Sequence, residues 1–597
     1  MSVVAMKRVM AVSARDRAEA LLSALQDRGV VHLVPLSGMT DLPAEPGLRA
    51  AAAKRVKTFL EAKRDPDADV ESDAVAALSS LPDDQLLERA QKLLARRTET
   101  ESAVAQLTKE YQGALPFGSV CQADFDELVA HGLTVRVYSL AKVGKKKPEV
   151  PAGVVSFELP WNDNRALVTA SFDPAFEMPL ERIDPPQRPA PVVATLLEDA
   201  KKVLAELDGH VQVFATRLDG IRREVGRLLD IQHLQEAKAE GGHDPDIFAV
   251  SGWCPSSSTG DVVKAATEVG GACFFEDPEA AEEPPIQLHN SRLISWFEPL
   301  LEAFQLPKYR EPDPTFLFAP FMALFFGFCL GDMAYGVLLF LGATWLHRKL
   351  GATADVWHKS FRLMQLLGGM TVLVGFLTGS VFGYPLYEIG AFQQLGLTSD
   401  KLLFFLSKDP QNFFYAALIF GAVQLGLGIV VRLVMHLKKR QFQRALATTG
   451  WLLLLPAVPL WVAMDLKQPF FVALGLIVLF KSPGNLLHRF GGGLWGLYEW
   501  VLGLFGDIMS YLRIFGLGLS SGIIAQVINT IAWMMFEGGS VGGYIGGVLI
   551  LFIGHTFNFA MAVLGSTVHS ARLQFLEYFG KFFEGGGQPF RPFARTK

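Results

Sequence analysis

Apolar and polar positions change rhythm near residue 300, and the change divides the chain into two kinds of material. In the first part, short apolar runs alternate with amphipathic stretches. Residues 3–12 (VVAMKRVMAV), the helical run 14–28 and the apolar 29–36 predict a strand, a helix and a strand that open a small α/β lobe. IFAVSGWCP at 247–255, a helical 260–269 and ACFFED at 272–277 repeat that order, so the two halves are expected to share one proximal lobe, 1–80 with 240–295. Between them, Leu86, Ala90, Leu93, Arg97, Thr100, Val104, Leu107 and Tyr111 alternate spacings of three and four with polar interruptions. Leu197, Ala200, Leu204, Leu207, Val211, Phe214, Leu218, Ile221, Val225 and Leu228 do so without one. The expectation is an antiparallel coiled coil of 84–111 with 192–236, a rod of about 50 Å; a helical stripe packed on a local core would give the same spacing. Residues 113–190, with GLTVRVYSL, VVSFEL and ALVTASF as strands, form a distal lobe.

After Pro314 the pattern is one of long apolar runs. A bilayer core about 30 Å thick needs roughly 20 apolar residues as helix. Eight candidates occur, at 315–330, 333–347, 362–383, 412–435, 445–464, 468–481, 494–536 and 541–578. The first, second and sixth are short enough to be re-entrant or buried helices instead. The seventh, 43 residues, comes to roughly 64 Å and must tilt strongly or break, and the eighth poses the same problem. Glycines at 516, 518, 522, 542, 543, 546 and 547 offer places to bend or pack closely. The expected fold is therefore an α+β cytoplasmic domain, 1–300, of two α/β lobes joined by a coiled coil. An all-α membrane domain, 301–597, follows, with eight transmembrane helices of which the last two are long and tilted.

Charge sharpens the division. Residues 1–300 hold 33 Lys+Arg against 46 Asp+Glu, net −13, and residues 301–597 hold 22 against 14, net +8. With residue 300 on the cytoplasmic side, an eight-span arrangement places HRKL and HKSFR (347–350, 358–362), HLKKRQFQR (436–444), KSPGNLLHR (481–489) and the C-terminal tail inside. The opposite side receives the Gly331-Asp332 turn, the 384–411 loop, DLKQ and EGGSVGG, none of which is basic, so the positive-inside rule favours eight spans with both termini cytoplasmic. The opening MSVVAMKRVMAVSARD has too short an apolar run for a signal peptide.

Much chemistry is excluded. There is no GxxxxGK[ST], HExxH, GxSxG or GxGxxG after a strand, so no catalytic residue is nominated and the chain is expected to hydrolyse nothing by itself. The four cysteines, Cys121, Cys254, Cys273 and Cys329, form no CxxC pair, which supports neither a zinc site nor a disulfide framework; no cofactor or metal is expected. The acidic first half argues against nucleic acid, and the KKK run at 145–147 reads as a solvated loop.

The informative residues are ionisable groups inside the last two helices, where a charge at membrane depth costs several kcal/mol. Arg513, in GDIMSYLRIFGLGL, is the clearest. At 100° per residue, Glu499, Gly503, Gly506, Ser510, Arg513, Leu517 and Ser520 fall near one face, with Asp507 about 120° away from Arg513. His555, Asn558, Ala562, Gly565, His569 and Arg572 repeat a small and polar stripe on the eighth segment. Helix packing could account for such stripes, but packing needs no guanidinium. Arg432, close to the KKR run, reads as snorkelling to the interface; Asp332 reads as a helix N-cap before an ion ligand; His569 fits a proton relay or a simple hydrogen bond equally.

Three segments, EPDPTFLFAPFMALFFGFCLGDMAYGVLL (311–339), SYLRIFGLGL (510–519) and HSARLQFLEYFGKFFEGGGQPFRPF (569–593), together with GWCP at 252–255, resemble the large membrane subunit of V/A-type rotary ATPases, called subunit a or subunit I. The resemblance covers essentially the whole chain and implies a stator subunit that forms half-channels for H⁺ or Na⁺ against a ring of proteolipid c subunits. It implies peripheral-stalk subunits, a central-stalk or ring-cap subunit and membrane lipid as further partners, and a multi-pass place in the cell (inner) membrane. By carry-over Arg513 corresponds to the family's essential arginine, Arg572 to its second, and Glu499 to a glutamate fourteen residues before the first. Ser510, His569, Asn558 and His555 complete the candidate ion-translocation set. Eukaryotic relatives often carry Glu and His where this chain has Ala562 and Ser521. Two readings compete: a self-contained secondary transporter, which predicts inverted repeats that the sequence does not display, and a membrane-anchored coiled-coil scaffold, which leaves Arg513 without a role.

Overall fold

The structure, a computed structural model, describes residues 3–36, 44–65, 75, 78–140, 150–151, 153–161, 164–350, 355–386, 410–482 and 486–596. The lysine run at 145–147 and the loop charges Glu388, Asp400, Lys401, Lys408 and Asp409 lie outside these residues. The chain divides into two compact units. One comprises Met10–Gly252, Gly260–Phe274 and Pro592–Lys597; the other comprises Met1–Val9, Trp253–Thr259 and Phe275–Arg591.

The mostly N-terminal unit contains β1 (Met6–Ala14), α1 (Ala18–Arg28), β2 (His32–Val34), α2 (Ala44–Lys63), α3 (Asp83–Ala114), α4 (Gln122–Ala130), β3 (Thr134–Ser139), β4 (Val155–Trp161), β5 (Asn164–Ser171), β6 (Arg182–Ile183), α5 (Ala190–Thr216), α6 (Leu218–Glu240), β7 (Gly242–His243), β8 (Ile247–Pro255), α7 (Thr259–Glu268) and β9 (Ala272–Glu276), three of whose strands run on into the other unit. Strands from the two ends of this region interleave in one sheet, β2-β8-β1-β9, with β7 paired to β8. A second sheet, β4-β5-β3-β6, is antiparallel, with Val137 opposite Val168 and Tyr138 opposite Leu167. The period-2 alternation feeds two cores: Val137 and Val168 pack with Phe125 of α4, while Tyr138 and Leu167 pack with Met178 and Leu180.

Three ion pairs fix the direction of the long helices. Arg188 meets Glu110, Arg97 meets Asp208 and Arg223 meets Asp83, so α3 runs antiparallel to α5 and then α6. At 1.5 Å per residue the 32 residues of α3 span about 48 Å. Of the predicted seam, Leu197, Leu207, Val211, Phe214, Leu218, Ile221 and Val225 are buried. The periodicity is uninterrupted, yet the helix is not: Arg217, at φ −104° and ψ 23°, separates α5 from α6. The break brings Gly220 so close to the start of α3 that a Cβ there would lie 2.6 Å from Asp83 Oδ1 and 3.1 Å from Leu86. A third helix, which heptad spacing does not mark, completes the bundle: α2 buries Ala53, Val56 and Leu60 in the same core as Leu86, Ile221 and Val225.

Arg97, a polar interruption in the heptads, is buried in this bundle. Its Nε donates to Asp208 Oδ1 at 2.7 Å and its Nη1 to Glu101 Oε2 at 2.7 Å, and its guanidinium lies 5.2 Å from the centre of the Phe59 ring. The hydrogen bond to Asp208 holds the arginine pKa above its ordinary value, against the opposing effect of burial. Arg97→Ala should therefore cost about 2 kcal/mol of stability, and Arg97→Met, which keeps the apolar stem, less. Urea unfolding followed by circular dichroism checks this; an alanine variant as stable as the parent would show that the pair contributes nothing.

The other unit contains α8 (Glu298–Phe304), α9 (Thr315–Leu330), α10 (Met333–Leu350), α11 (Asp355–Thr378), a hairpin of β10 (Ser380–Val381) and β11 (Tyr384–Pro385), then α12 (Pro410–Lys438), α13 (Phe442–Met464), α14 (Gln468–Phe480), α15 (Leu486–Glu537) and α16 (Val541–Arg572). By length and composition five helices, at 357–378, 410–438, 442–462, 488–537 and 541–581, are able to cross a membrane; α9 and α14 are shorter apolar helices. The prolonged α15 does not break. Its 52 residues run about 78 Å as one helix. Gly518 serves close packing instead, since a Cβ there would lie 2.5 Å from the Phe328 carbonyl. α16 runs antiparallel to α15, with Gly547 on Phe536 and Gly554 on Ile528. It then opens into a single π-helical turn, Leu573–Tyr578, before a short 3₁₀ turn, Phe579–Lys581. That turn buries Leu573, Tyr578 and Phe579 among the rings of Phe318, Phe321 and Phe325.

Candidate ion-translocation site

Arg513 is half-buried near the middle of α15, and its Nη1 is buried without a hydrogen-bond partner. His569 of α16 and Cys329 of α9 lie in electrostatic range of it, and Arg572 in range of His569. Along α15 the polar residues follow in the order Asp507, Tyr511, Arg513, Ser521, Asn529. These positions belong to two side-chain clusters, one on each side of the arginine.

The cluster around Asn529 is built on Asp332, the residue between α9 and α10. Asp332 is 1% exposed. Its Oδ1 accepts from the backbone N–H groups of Ala334, Tyr335 and Phe382 at 2.9, 3.2 and 3.0 Å, and its Oδ2 from Ser380 Oγ and the Gly383 N–H at 2.8 and 2.9 Å. It is the N-cap of α10, the role favoured from sequence, and it also holds the hairpin turn. That turn has positive φ at both Phe382 (50°) and Gly383 (76°), and a Cβ on Gly383 would lie 2.6 Å from Ala525. Five donors satisfy the carboxylate, so it has no oxygen to spare for an ion.

From the hairpin the hydrogen bonds continue through Asn529, whose Nδ2 donates to the Phe382 carbonyl at 2.6 Å. That bond turns Asn529 Oδ1 toward His555 Nε2 at 2.9 Å, and an amide oxygen only accepts, so Nε2 carries a proton. His555 Nδ1 then accepts from the Tyr335 hydroxyl at 2.8 Å, and Tyr335 in turn accepts from Asn558 Nδ2 at 3.0 Å. Asn558 also donates to the Ser521 carbonyl at 3.1 Å. The network is complete with a single proton on His555. Beside it, Thr378, Ser380, Tyr384, Leu519, Gly522 and Gln526 line a small recess of about 50 Å³.

On the other side of Arg513, Tyr511 donates to Gln424 Oε1 at 2.8 Å and Gln424 to Gln574; all three side chains are fully buried. Asp507 is paired with Lys581. Glu577, in the π-helical turn, is 6% exposed; its Oε1 lies 3.8 Å from Arg572 Nε and its Oε2 has no partner. Gln574 Nε2, Tyr578 OH, His569 Nδ1 and the Ser566 hydroxyl are also buried and unbonded, as is the Ser521 hydroxyl on the Asn529 side.

The structure brings Arg513, His569 and Arg572 into one region and His555 with Asn558 into the other. Glu499 and Ser510 join neither. Glu499 is exposed and accepts from Trp495 Nε1 at 2.8 Å, fourteen residues or roughly 21 Å along the helix from Arg513; Ser510 donates back to the Gly506 carbonyl at 3.1 Å. Of the positions where eukaryotic relatives differ, Ala562 packs in the apolar core and Ser521 is buried. Tyr335, Asn529, Gln424, Tyr511, Gln574 and Glu577 were missed; the available signal was a polar residue inside an apolar run, and for Glu577 its place five residues after Arg572. Among the described residues no group of three or more His, Cys, Asp or Glu could hold a metal ion.

The model of the V-type ATPase 116 kDa subunit family matches residues 497–595, the stretch that carries both arginines. Over that stretch the chain is similar to this family. It is 28% identical over 448 residues to A-type ATP synthase subunit I of Methanocaldococcus jannaschii, covering 68% of this chain and 64% of the relative. V-type ATP synthase subunit I of Borreliella burgdorferi is 26% identical over 423 residues, 67% of this chain and 69% of that one. A-type ATP synthase subunit I of Pyrococcus abyssi is 30% identical over 368 residues, with 59% and 54% covered. The match thus spans just under two thirds of the first of these relatives. A crystal structure of the cytoplasmic N-terminal domain of subunit I, homolog of subunit a, of V-ATPase aligns over 45% of this chain and 100% of its own at 16% identity and a TM-score of 0.18, too low to carry an argument.

Asp332→Ala would orphan five donors and should lower stability by about 3 kcal/mol or more, with Asp332→Asn losing less. Thermal unfolding of the detergent-solubilised protein gives the measurement; an unchanged Tm for the alanine variant would contradict the capping role.

Proposed function

We propose that this chain is the stator membrane subunit of a V/A-type rotary ATPase and forms two ion half-channels against a rotating proteolipid ring. The observation that carries the reading is Arg513: a guanidinium held inside an apolar helix, with one nitrogen unbonded, between two polar clusters. A charge so placed costs several kcal/mol unless it has work to do. A ring carboxylate arriving beside Arg513 would have its pKa lowered by roughly 1–3 units relative to the same group in lipid, and so would release its ion there. The fixed positive charge would also bar a direct leak between the half-channels.

The rest of the chain fits that role. The exposed flanks of α15 and α16, including Ile523, Val527, Ile531, Phe552, Phe557 and Leu564, offer a long apolar surface for the ring and for lipid. All eight helices α9–α16 would cross the membrane, α15 and α16 tilted, with both termini in the cytoplasm by the positive-inside rule. The N-terminal lobes and their helical rod would form the stator arm. Strand β4 lies at a sheet edge with Val155, Phe157 and Leu159 exposed, a surface suited to a peripheral-stalk partner. ATP would be hydrolysed or made on other subunits, and this chain would be non-catalytic.

Purification from native membranes in mild detergent should bring nucleotide-binding subunits, stalk subunits and a small proteolipid in fixed ratio. In that complex Arg513→Ala should reduce ATP-driven ion transport at least 100-fold while the subunits still co-elute. Elution of the chain alone, or full coupling in the variant, would overturn the reading.

A further inference from the structure

At the ends of α10 and α11 that carry the HRKL and HKSFR runs, positive and protonatable groups are packed together without a counter-ion. The two helices run antiparallel in close backbone contact: a Cβ on Gly336 would lie 2.7 Å from the Val372 nitrogen, and one on Gly368 would lie 2.8 Å from the Phe340 nitrogen. That approach sets His347 against His358, ring centres 4.7 Å apart, and brings Arg362 into electrostatic range of His347. Arg362 is aimed by a short chain of bonds: its Nη1 donates to Gln365 Oε1 at 3.2 Å, and Gln365 Nε2 donates to Thr344 Oγ1 at 3.1 Å. Arg348 and Lys349, directly after His347, are exposed.

Among the described residues none of His347, Arg348, Lys349, His358 and Arg362 makes an ion pair, whereas nearby Lys359 meets Glu298 at 3.0 Å. Two of the five also hold buried nitrogens without a hydrogen-bond partner, His347 Nδ1 and Arg362 Nε. Buried donors are normally bonded, and adjoining positive groups repel one another, so both conditions call for an anion rich in acceptor oxygens. A metal ion would not relieve them, because Arg362 repels a cation. A phosphate does, since it carries the needed charge and accepts more than one hydrogen bond from a guanidinium. The apolar surface alongside points to its source. Leu341, Trp345 and Arg348 follow one another along α10 at spacings of four and three, all exposed; Lys349 Nζ lies 5.2 Å from the centre of the Trp345 ring, and Trp357 is exposed near the start of α11. Exposed tryptophans beside cations mark the level of lipid headgroups, and basic pockets between membrane helices suit anionic ones.

We infer that the basic ends of α10 and α11 bind the phosphate of an anionic phospholipid, with Arg362 and His347 as the buried donors and Arg348 and Lys349 as an exposed rim. The inference rests on the reading of these two helices as membrane-crossing. A phosphate oxygen accepts from the Arg362 guanidinium and from His347 Nδ1 when that nitrogen carries the ring's proton. Trp345 and Leu341 then offer apolar surface to an acyl chain of the same lipid. A lipid so held fixes α10 and α11 to the leaflet on which the positive-inside rule places their basic ends.

The test uses the full chain in mild detergent, titrated with phosphatidylglycerol or phosphatidylcholine while bound lipid is counted by native mass spectrometry. The parent should hold phosphatidylglycerol about tenfold more tightly or better; equal retention of the two lipids overturns the inference. Arg362→Gln combined with His347→Gln should remove most of that preference, and Arg348→Gln combined with Lys349→Gln should cost less. The reverse order, with the rim pair essential and the buried pair dispensable, overturns the site. Should the Arg362→Gln variant not fold, Arg362→Lys keeps the charge but loses the planar donors and should lower the affinity severalfold; an unchanged affinity there overturns it equally. Inorganic phosphate in millimolar excess should displace little of the lipid, and full displacement assigns the cluster to a free anion and overturns the lipid. Extraction of native membranes with alkaline carbonate separates the two levels: release of the chain removes the membrane-crossing reading, whereas retention without a preference for phosphatidylglycerol removes only the lipid site.

Discussion

A charged guanidinium within an apolar helical bundle constrains everything around it, because neither lipid nor aliphatic side chains can replace the water it has lost. Arg513 is held at that position by α15, and α15 is held by its neighbours. Tyr511 and Ile514, one on each side of the arginine in sequence, are fully buried against α12 and α9. Gly421 meets the Tyr511 ring so closely that a Cβ would lie 2.5 Å from it. The helix is therefore clamped on the face next to Arg513, while Gly503, Gly506 and Gly516 leave the adjoining face open. A closely packed face and an open face thus lie side by side at Arg513.

The two polar clusters divide between stiffness and access. Around Asp332, five donors converge on one carboxylate, and the hairpin it secures fixes Asn529, His555 and Tyr335 in a single pattern of donors and acceptors. Such a network resists rearrangement, since each broken bond would leave a buried polar group unpaired. On the other side, several polar atoms have no partner, and the backbone itself departs from α-helical geometry at Leu573–Tyr578.

Some of this was legible in the sequence and some could not have been. The strands of both lobes and the seam from Leu197 to Val225 follow from periods of two and of three and four, which are local properties. The interruption at Arg217 does not, because it depends on Gly220 meeting Asp83, 137 residues away. α2 escaped because its buried face begins with alanines, Ala50 and Ala53, which carry little apolar signal. Arg97 looked like a flaw in the heptads and is a buried bond to another helix. In the membrane part, charge stands out against an apolar run, so Arg513 was visible. Tyr335 and Asn529 were not, because an uncharged polar residue declares itself only through partners, and the histidine that Tyr335 bonds lies 220 residues on.

The stripe Glu499, Ser510, Arg513 was a partial guide for a related reason. Helical projection assigns residues to a face but says nothing of what each hydroxyl or carboxylate already bonds. Ser510 bonds its own helix and Glu499 bonds Trp495 one turn away, so both are spent locally. The residues that remain open lie on the neighbouring helix and in the turn that follows it. A buried polar group left unpaired costs free energy, so most such groups in a folded chain have a partner. Around Arg513, buried polar atoms without a partner lie where α15 faces the end of α16 and the π-helical turn, on Ser566, His569, Gln574, Glu577 and Tyr578 as well as on the arginine itself.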